Sequence, residues 1–565
     1  MVSNSLSYDG TDISYKDKEM KTKLNVLIFC ALFFICLFPV SGAGGTQGGS
    51  QGQKTSAVPL SVEIFDRGNM PASYGTPIDN RWTNYVKDNF AKPANIDLSY
   101  VTVPRAQEVE RINVMMASKS APDIIFCYSN PLFYSYAAQG GLTDLTGLIA
   151  ANAPQLQQLW GEDVLQYGRL KGKQFGIYAK RTWTPHSASY IRKDWLDKIG
   201  FKAGTFTANG NTYLAMTPDE LFTALQQCVA QNVSGKGANN TFAWGVFSAG
   251  PGATASQSPF IGILTAFLSK ATLTEEVRAI NPTASSHPSL FWPGVKDAAR
   301  FMNKMYNAGL MDPDFALQRD SQQFMARVAN GQVGFFTATD GNGTSESDPS
   351  GNYVYLLYQN DPTAEFAGLE LLNNQTREPQ YRFSYPPTGM VIMVPSFSKA
   401  APQALQYMNW LAQDDKDKAG PIIYGVEGEH WQWADGIRQP IDRDYNSNSR
   451  ISIGDLSIMY NGDPNPKMDL AQRLAALSPK MKPLLQAYYD LGNTNTYTDY
   501  VFSQEIVSET KYSSNLQAKS NEVYTQAIMA KPQDFDAVWD RLTKEYLTIG
   551  GQEVINERTA AYQNR

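Results

Sequence analysis

Two carboxylates two residues apart, Glu427 and Glu429, stand beside His430 and Trp431 in the run YGVEGEHW (residues 424–431). A carboxylate pair can hydrolyse a glycoside when the groups lie about 5–10 Å apart across the sugar and one has a raised pKa. On a loop, side chains at i and i+2 can point to opposite sides. No third group in the sequence is placed to tune them. No His-Glu-x-x-His or P-loop pattern occurs either. The expectation is no catalytic residue and no enzyme. The three histidines, His186, His287 and His430, are far apart in sequence and have no cysteine partner. They are expected to be solvated or hydrogen-bonded structural residues, not metal ligands. Cys127 and Cys228 lie in apolar surroundings without Cys-x-x-Cys spacing, and read as buried free thiols.

The other candidates suit the holding of a polyhydroxylated ligand, which needs flat apolar faces and planar polar groups. In open α/β sheets such groups gather beyond the carboxyl ends of strands. Asp66-Arg67-Gly68-Asn69 follows the first strand and offers a carboxylate, a guanidinium and an amide; a turn with a structural ion pair is the alternative. Trp82 opens a helix, as a core anchor or a stacking platform. Tyr128 and Asn130 follow a buried strand. Trp183 sits in the break Lys180–Ser187 between two strand-like runs, where an indole has few places to bury. Asp340 follows another strand. Its loop, DGNGTSESD, has Gly351 where an EF-type loop needs its twelfth-position acid, so a ligand-contacting loop or a solvated turn is expected.

The elements that position these residues follow from periodicity. Pro59–Asp66, Ile96–Val103 and Asp123–Cys127 read as strands. Asn80–Phe90 and Ala106–Ser118 carry apolar residues at helical spacing. Alternation of this kind predicts βαβ units and a mostly parallel sheet. Gln174–Ala179 and Ala188–Arg192 are strands on either side of the Trp183 break, and Lys193–Ile199 is a helix. Thr217-Pro-Asp-Glu220 is a capping box opening a helix to Gln231. Thr241–Phe247 and Val333–Thr337 read as strands, and Gly294–Ala308 and Phe324–Asn330 as helices. Met390–Val394 is a buried strand, the expected return partner of Gln174–Ala179 in a hinge, and Ala401–Gln413 is a helix. The last third is mostly helical: Asp469–Ala476, Lys480–Leu491, Glu505–Met529 and Phe535–Leu547.

A chain of 565 residues exceeds the ~250–300 at which a single core stops growing. With 42% apolar and 18% charged residues it is globular. A net charge of −6, with acids and bases interspersed, gives no sign of a nucleic-acid surface. Lys21 and Lys23 precede the run LNVLIFCALFFICLFPV (residues 24–40), and small residues follow it. This is a signal-peptide layout, with cleavage expected after Ala43 and the segment before Met20 read as an over-called start. Residues 44–57 form a Gly/Ser/Gln tether.

Four segments carry a family resemblance. They are MMASKSAPDII (residues 115–125), YIRKDWLDKIG with TPDEL (190–200 and 217–221), YGVEGEHW (424–431), and the ending FDAVW…G…Y (Phe535 to Tyr562). Together they resemble the family 1 extracellular solute-binding proteins of ABC importers, closest in character to the long oligosaccharide-binding lipoproteins that include alginate-binding proteins. The resemblance implies an α/β, two-lobed class II periplasmic-binding-protein fold, with hinge strands between lobes and a helical C-terminal third. Lobe 1 is expected to comprise residues 58–182 and 395–450, and lobe 2 residues 183–394 and 451–565. It further implies an oligosaccharide ligand and ABC permease subunits as partners; a secreted glycan-active enzyme, or a binder or sensor of a non-sugar solute such as a peptide, is the alternative. The signal layout places the protein extracellularly or at the outer face of the cytoplasmic membrane, and no cofactor and a monomer are expected. Glu427 would accept a sugar hydroxyl and Trp431 would stack. Two departures stand out. Ala43 replaces the cysteine that a lipid anchor requires. The loop QNVSGKGANN (residues 231–240) keeps the glycines of the relatives' calcium loop but has no carboxylate, so no metal is expected.

Overall fold

The computed structural model describes residues 56–68, 70, 72–246, 260–281, 288–318, 321–346, 351–441, 454–461, 463–502 and 504–564. The expected leader, all but the last two residues of the tether, Asn69 and His287 lie outside these residues.

In chain order the principal strands are β1 (Val58–Asp66), β2 (Ile96–Pro104), β3 (Ile125–Cys127), β4 (Gly176–Arg181), β5 (Ser187–Arg192), β6 (Gly204–Ala208), β7 (Asn211–Met216), β8 (Phe242–Trp244), β9 (Val333–Thr339), β10 (Phe366–Leu371), β11 (Thr388–Met393), β12 (Trp431–Ala434), β13 (Ile437–Pro440) and β14 (Tyr460–Asn461). They form two larger sheets and a hairpin. In the first sheet β2 pairs parallel with β1 over nine residues. β1 meets the start of β3 through the parallel bridge Val62–Ile124. β11 lies antiparallel between β3 and β4, and β14 runs parallel on the far side of β4. The second sheet has the order β8-β9-β5-β10-β7-β6. Its β8–β9 and β10–β7 pairs are parallel; β5 is antiparallel to both neighbours, and β6 to β7.

Both sheets are therefore mixed, not mostly parallel. Local βαβ pattern cannot register a strand such as β11, which returns from a distant part of the chain and enters the first sheet against the grain. The pairing of residues 174–179 with 390–394 is present: Ile177 faces Ile392 and Tyr178 faces Val391.

One continuous apolar cluster fills the first sheet's surroundings, from Leu60, Val62 and Phe126 to Trp410 and Met459. It takes in Met390–Val394 and Leu456–Met459, segments that the sequence-based division assigns to the second lobe. The second sheet separates two further clusters, and strand alternation sorts residues between them. Phe335, Leu369 and Leu371 face one, while Tyr190, Phe336 and Phe366 face the other. The C-terminal helices cover both faces. Val523, Tyr524, Ile528 and Trp539 enter the former cluster, and Leu484, Tyr488 and Leu491 the latter. Among the described residues no helix is long and apolar enough to cross a membrane.

Local signals act where the sequence places them. Thr217 Oγ1 accepts the Glu220 N–H at 3.2 Å, and Glu220 Oε2 accepts the Thr217 N–H at 2.8 Å, closing the capping box of α1 (Pro218–Ala230). The helix Arg81–Val86 starts the same way, with Asn80 Oδ1 accepting from Trp82 and Thr83.

Candidate functional site

The chain passes between the two sheets at residues 182–186, directly after β4, and returns at 384–387, directly before β11. The outgoing and returning segments bind each other. Pro185 bridges Ser384 in antiparallel fashion. The Tyr385 N–H donates to Thr184 O at 3.0 Å, and the Arg181 N–H to Pro387 O at 2.9 Å. A third strand of chain crosses alongside, where Thr182 Oγ1 donates to Asp463 O at 2.6 Å.

Side chains converge at this crossing. The Arg181 guanidinium lies over the Tyr385 ring, 4.2 Å from its centroid, and its Nε donates to Thr388 O at 3.2 Å. Among the described residues the terminal nitrogens of Arg181 have no hydrogen-bond partner. The Tyr385 hydroxyl donates to Asp340 Oδ1 at 2.6 Å. The Asp340 N–H donates to His186 O at 3.0 Å, and the Tyr488 hydroxyl donates to the same carbonyl at 2.7 Å. Trp183 is half-buried and lies parallel to Tyr488, with a centroid separation of 6.3 Å and an interplanar angle of 5°. Tyr128, 37% exposed at the end of β3, lies within electrostatic reach of Arg181.

The electrostatics are those of a recess. Asp340 keeps solvent-accessible surface, yet protein crowding around its carboxyl raises the pKa from the ordinary value. The Tyr385 hydrogen bond and the Arg181 charge oppose that rise. Arg181 is lowered by desolvation. Burial pushes the Tyr385 phenol up, assisted by Asp340. His186, 1% exposed, falls to about 3 through desolvation and then through the Arg181 charge. It is neutral at physiological pH, and among the described residues neither ring nitrogen has a hydrogen-bond partner. A guanidinium, a carboxylate, phenols and an indole at one crossing can donate to, accept from and stack on a ligand with many hydroxyls.

The remaining candidates lie on the first sheet's side. Phe65 stacks on Tyr128 at 6.0 Å, and the Arg105 guanidinium covers both rings. This brings the carboxyl ends of β1, β2 and β3 together. Asp66 is exposed there, and its Oδ1 accepts the Gly68 N–H at 2.8 Å in a turn. Arg67 reaches back over Phe65. Asn130 is exposed at the start of its helix, and its Oδ1 accepts the Tyr178 hydroxyl at 2.8 Å. Trp82 is 4% exposed among core residues, with Tyr85 and His430 beside it. It is a core anchor and offers no open face.

Glu427, Glu429 and Trp431 form a separate turn. Glu427 is exposed. Both Glu429 oxygens take the Arg81 guanidinium, one at 2.8 Å, and that interaction lowers the Glu429 pKa. A general acid needs the opposite shift. Trp431 is half-buried, with its ring N–H on Gly425 O at 3.0 Å. In the QNVSGKGANN loop, Asn232 Oδ1 accepts the Gly237 N–H at 2.8 Å. Among the described residues no cluster of metal-ligating side chains occurs.

Sequence reasoning missed Arg181 and Tyr385. Arg181 was accessible to the rule that selected Asp66, Tyr128 and Asp340, because it is the last residue of a strand facing the crossing. Tyr385 precedes its strand, and no local pattern distinguishes it.

The family model described as bacterial extracellular solute-binding protein matches residues 86–425, well over half of the chain. Lipoprotein LipO of Bacillus subtilis (strain 168) is 21% identical over 356 residues, covering 62% of this chain and 64%, just under two thirds, of that protein. Among solved structures, an alginate-binding protein without its calcium ion superposes with a TM-score of 0.60 at 15% identity, covering 90% of this chain and 98% of its own. An extracellular solute-binding protein from Bifidobacterium longum subsp. infantis gives the same values. The S. pneumoniae ABC-transporter substrate-binding protein FusA in complex with kestose gives 0.61 at 14% identity, covering 90% and 99%. At these identities the structures show a shared fold. With residues 86–425 matched, the chain belongs to the bacterial extracellular solute-binding protein family.

Proposed function

We propose that the protein is the extracytoplasmic binding component of an ABC import system, holding an oligosaccharide between two lobes and presenting it to membrane permease subunits. The observation that carries this reading is the convergence of Tyr128, Arg181, Trp183, Asp340 and Tyr385 where three segments cross between separately packed cores. The structural neighbours, among them an alginate-binding protein and a substrate-binding protein in complex with kestose, support the ligand class. The lobes follow the cores: the described residues within 58–181, 388–441 and 456–461 around the first sheet, and those within 187–383 and 482–564 around the second. Asp340 accepts ligand hydroxyls and Arg181 donates to them; Trp183 and Tyr128 supply faces. Glu427 and Trp431, with Asp66, Arg67 and Asn130, line the first lobe's side. A ligand bridging both lobes stabilises the closed state by its differential affinity for it, and the closed state docks on the permease. The protein carries out no turnover and acts as a monomer. It is exported through its leader, and Ala43 leaves no thiol for a lipid anchor.

The test is a thermal-shift screen of the protein beginning at Gly44 against neutral oligosaccharides, uronate oligomers and peptides. Saturable stabilisation by a saccharide, with no product on chromatography, is expected. Glycan turnover would make the protein an enzyme. Stabilisation by peptides alone would replace the ligand class. Intact mass of the secreted protein tests the anchor: a mass starting at Gly44 without lipid is expected, and a diacylglyceryl adduct refutes it.

A further inference from the structure

Trp433 has half of its surface exposed and lies outside the crossing. It stands on β12 opposite Arg438 of β13. The Arg438 guanidinium packs 5.4 Å from the Trp433 ring and 5.6 Å from that of Trp431. Its Nη1 donates to Asp463 Oδ2 at 3.0 Å, and Asp463 is fully buried. The exposed indole is thus braced by a cation, which is fixed in turn by a buried carboxylate.

The same construction occurs at Trp183. The Arg473 guanidinium lies 4.5 Å from the Trp183 ring. Its Nε donates to Asp469 Oδ1 at 3.0 Å, and Asp469 is 3% exposed. Asp463 and Asp469 are six residues apart, just before and within the helix α2 (Pro466–Ala475). That helix packs against β13 on one side and sends Arg473 to Trp183 on the other. The Asp463 carbonyl also takes the Thr182 hydroxyl, next to Trp183. The two indoles are distinct platforms: the ring neighbours of Trp183 are Tyr488 and Tyr489, and that of Trp433 is Trp431. Exposing a large ring to water is unfavourable, and fixing its orientation removes the rotamer freedom that would otherwise accompany exposure. Both features suit a face that waits for an apolar partner. Each cation is matched by its own carboxylate, so the platforms present C–H-binding surface without net charge.

We infer that Trp433 is a second stacking subsite, continuous with Trp183 through the Asp463–Asp469 segment, and that the ligand is an oligosaccharide long enough to occupy both. This rests on the saccharide reading above. Trp433 then reads chain length: the shortest ligand engages the crossing alone, and longer ones gain contact at the hairpin.

The experiment titrates wild type, Trp433→Ala and Trp433→Phe by calorimetry with fructo-, malto-, manno- and alginate-oligosaccharides of one to six units. In whichever series binds, wild-type affinity climbs with length to a plateau. Trp433→Ala removes about tenfold at the plateau and leaves the shortest bound member unchanged, while Trp433→Phe retains part of the gain. Equal affinities of wild type and Trp433→Ala at every length would overturn the subsite while leaving the saccharide reading intact. Binding of none of the four series would remove the saccharide reading and the subsite together. Unfolding temperature and far-ultraviolet dichroism of each variant separate lost binding from lost structure.

Discussion

Replacing His186 by Phe should make the protein more resistant to acid. The ring sits at the crossing, edge-on to Phe383 at 5.2 Å and to Tyr385 at 5.3 Å, with Arg181 as the nearby cation and Asp340 hydrogen-bonded to its carbonyl. Burial and the Arg181 charge hold its pKa at about 3, against 6.5 in an unfolded chain. The unfolded state therefore binds the proton first. The stability conferred by keeping the ring neutral is complete above pH 6.5, declines as pH falls, and is gone at about 3. At ~1.4 kcal/mol per pH unit the loss is roughly 2 kcal/mol at pH 5 and about 5 kcal/mol across the whole window. Phe preserves the apolar contacts and cannot take a proton. The assay is urea unfolding of both proteins, followed by tryptophan fluorescence, at intervals from pH 7.5 to 4. The difference between the two stability curves cancels groups remote from His186; the nearby Asp340, whose raised pKa acts in the opposite direction, is present in both proteins. The wild type should lose ground steadily relative to the variant below pH 6.5. Parallel curves would refute the buried neutral imidazole.

Three further outcomes follow from contacts at the crossing and within the cores. Arg181→Gln should weaken binding of whichever saccharide the screen identifies by about tenfold or more, with little change in unfolding temperature, because the guanidinium makes one hydrogen bond to the protein; a large fall in stability with affinity retained would make Arg181 structural. Trp82→Ala should cost about 3–5 kcal/mol in urea unfolding as a core truncation; Trp183→Ala should cost about 1 kcal/mol, for its ring and cation contacts, and should lower ligand affinity in the same calorimetric titration; the reverse order would invert the roles assigned to the two indoles. Glu370→Gln should destabilise by about 3 kcal/mol or more, measured by denaturant midpoint, because it leaves the Arg382 charge uncompensated where both side chains are at most 1% exposed; a neutral effect would show that the pair is not dry.

Much of the fold could be read because its signals are local. The Asn80 and Thr217 ends, the alternation that sorts Phe335 from Phe336, and the apolar spacing of Val295–Asn307 each lie within a few residues. The sheet order could not be read this way. β11 and β14 reach β4 from more than 200 residues downstream, and nothing in their composition reports which edge or direction they will take. The hairpin β6–β7, turned at Asn209-Gly210 with both residues at positive φ, carries a strong local signal of its own.

The candidate site divides along the same physical line. Residues at the carboxyl ends of strands, Tyr128 and Asp340, could be chosen because a strand's direction predicts where its end emerges. Trp82 satisfied the chemistry but not the geometry: a tryptophan inside a capped helix points where the helix packs, and that is the core. Glu429 had the right charge, yet Arg81, nearly 350 residues earlier, occupies it. Arg181, Tyr385 and Trp433 acquire their character only from partners supplied by other segments. Arg181 is set against Tyr385 because the return crossing lies beside the outgoing one. Trp433 is held open because Arg438 is tied to Asp463. A chain whose binding groups sit on crossings hides them from local reading for the same reason that it can use them: each group belongs to two distant segments, so a ligand that touches it reports on both.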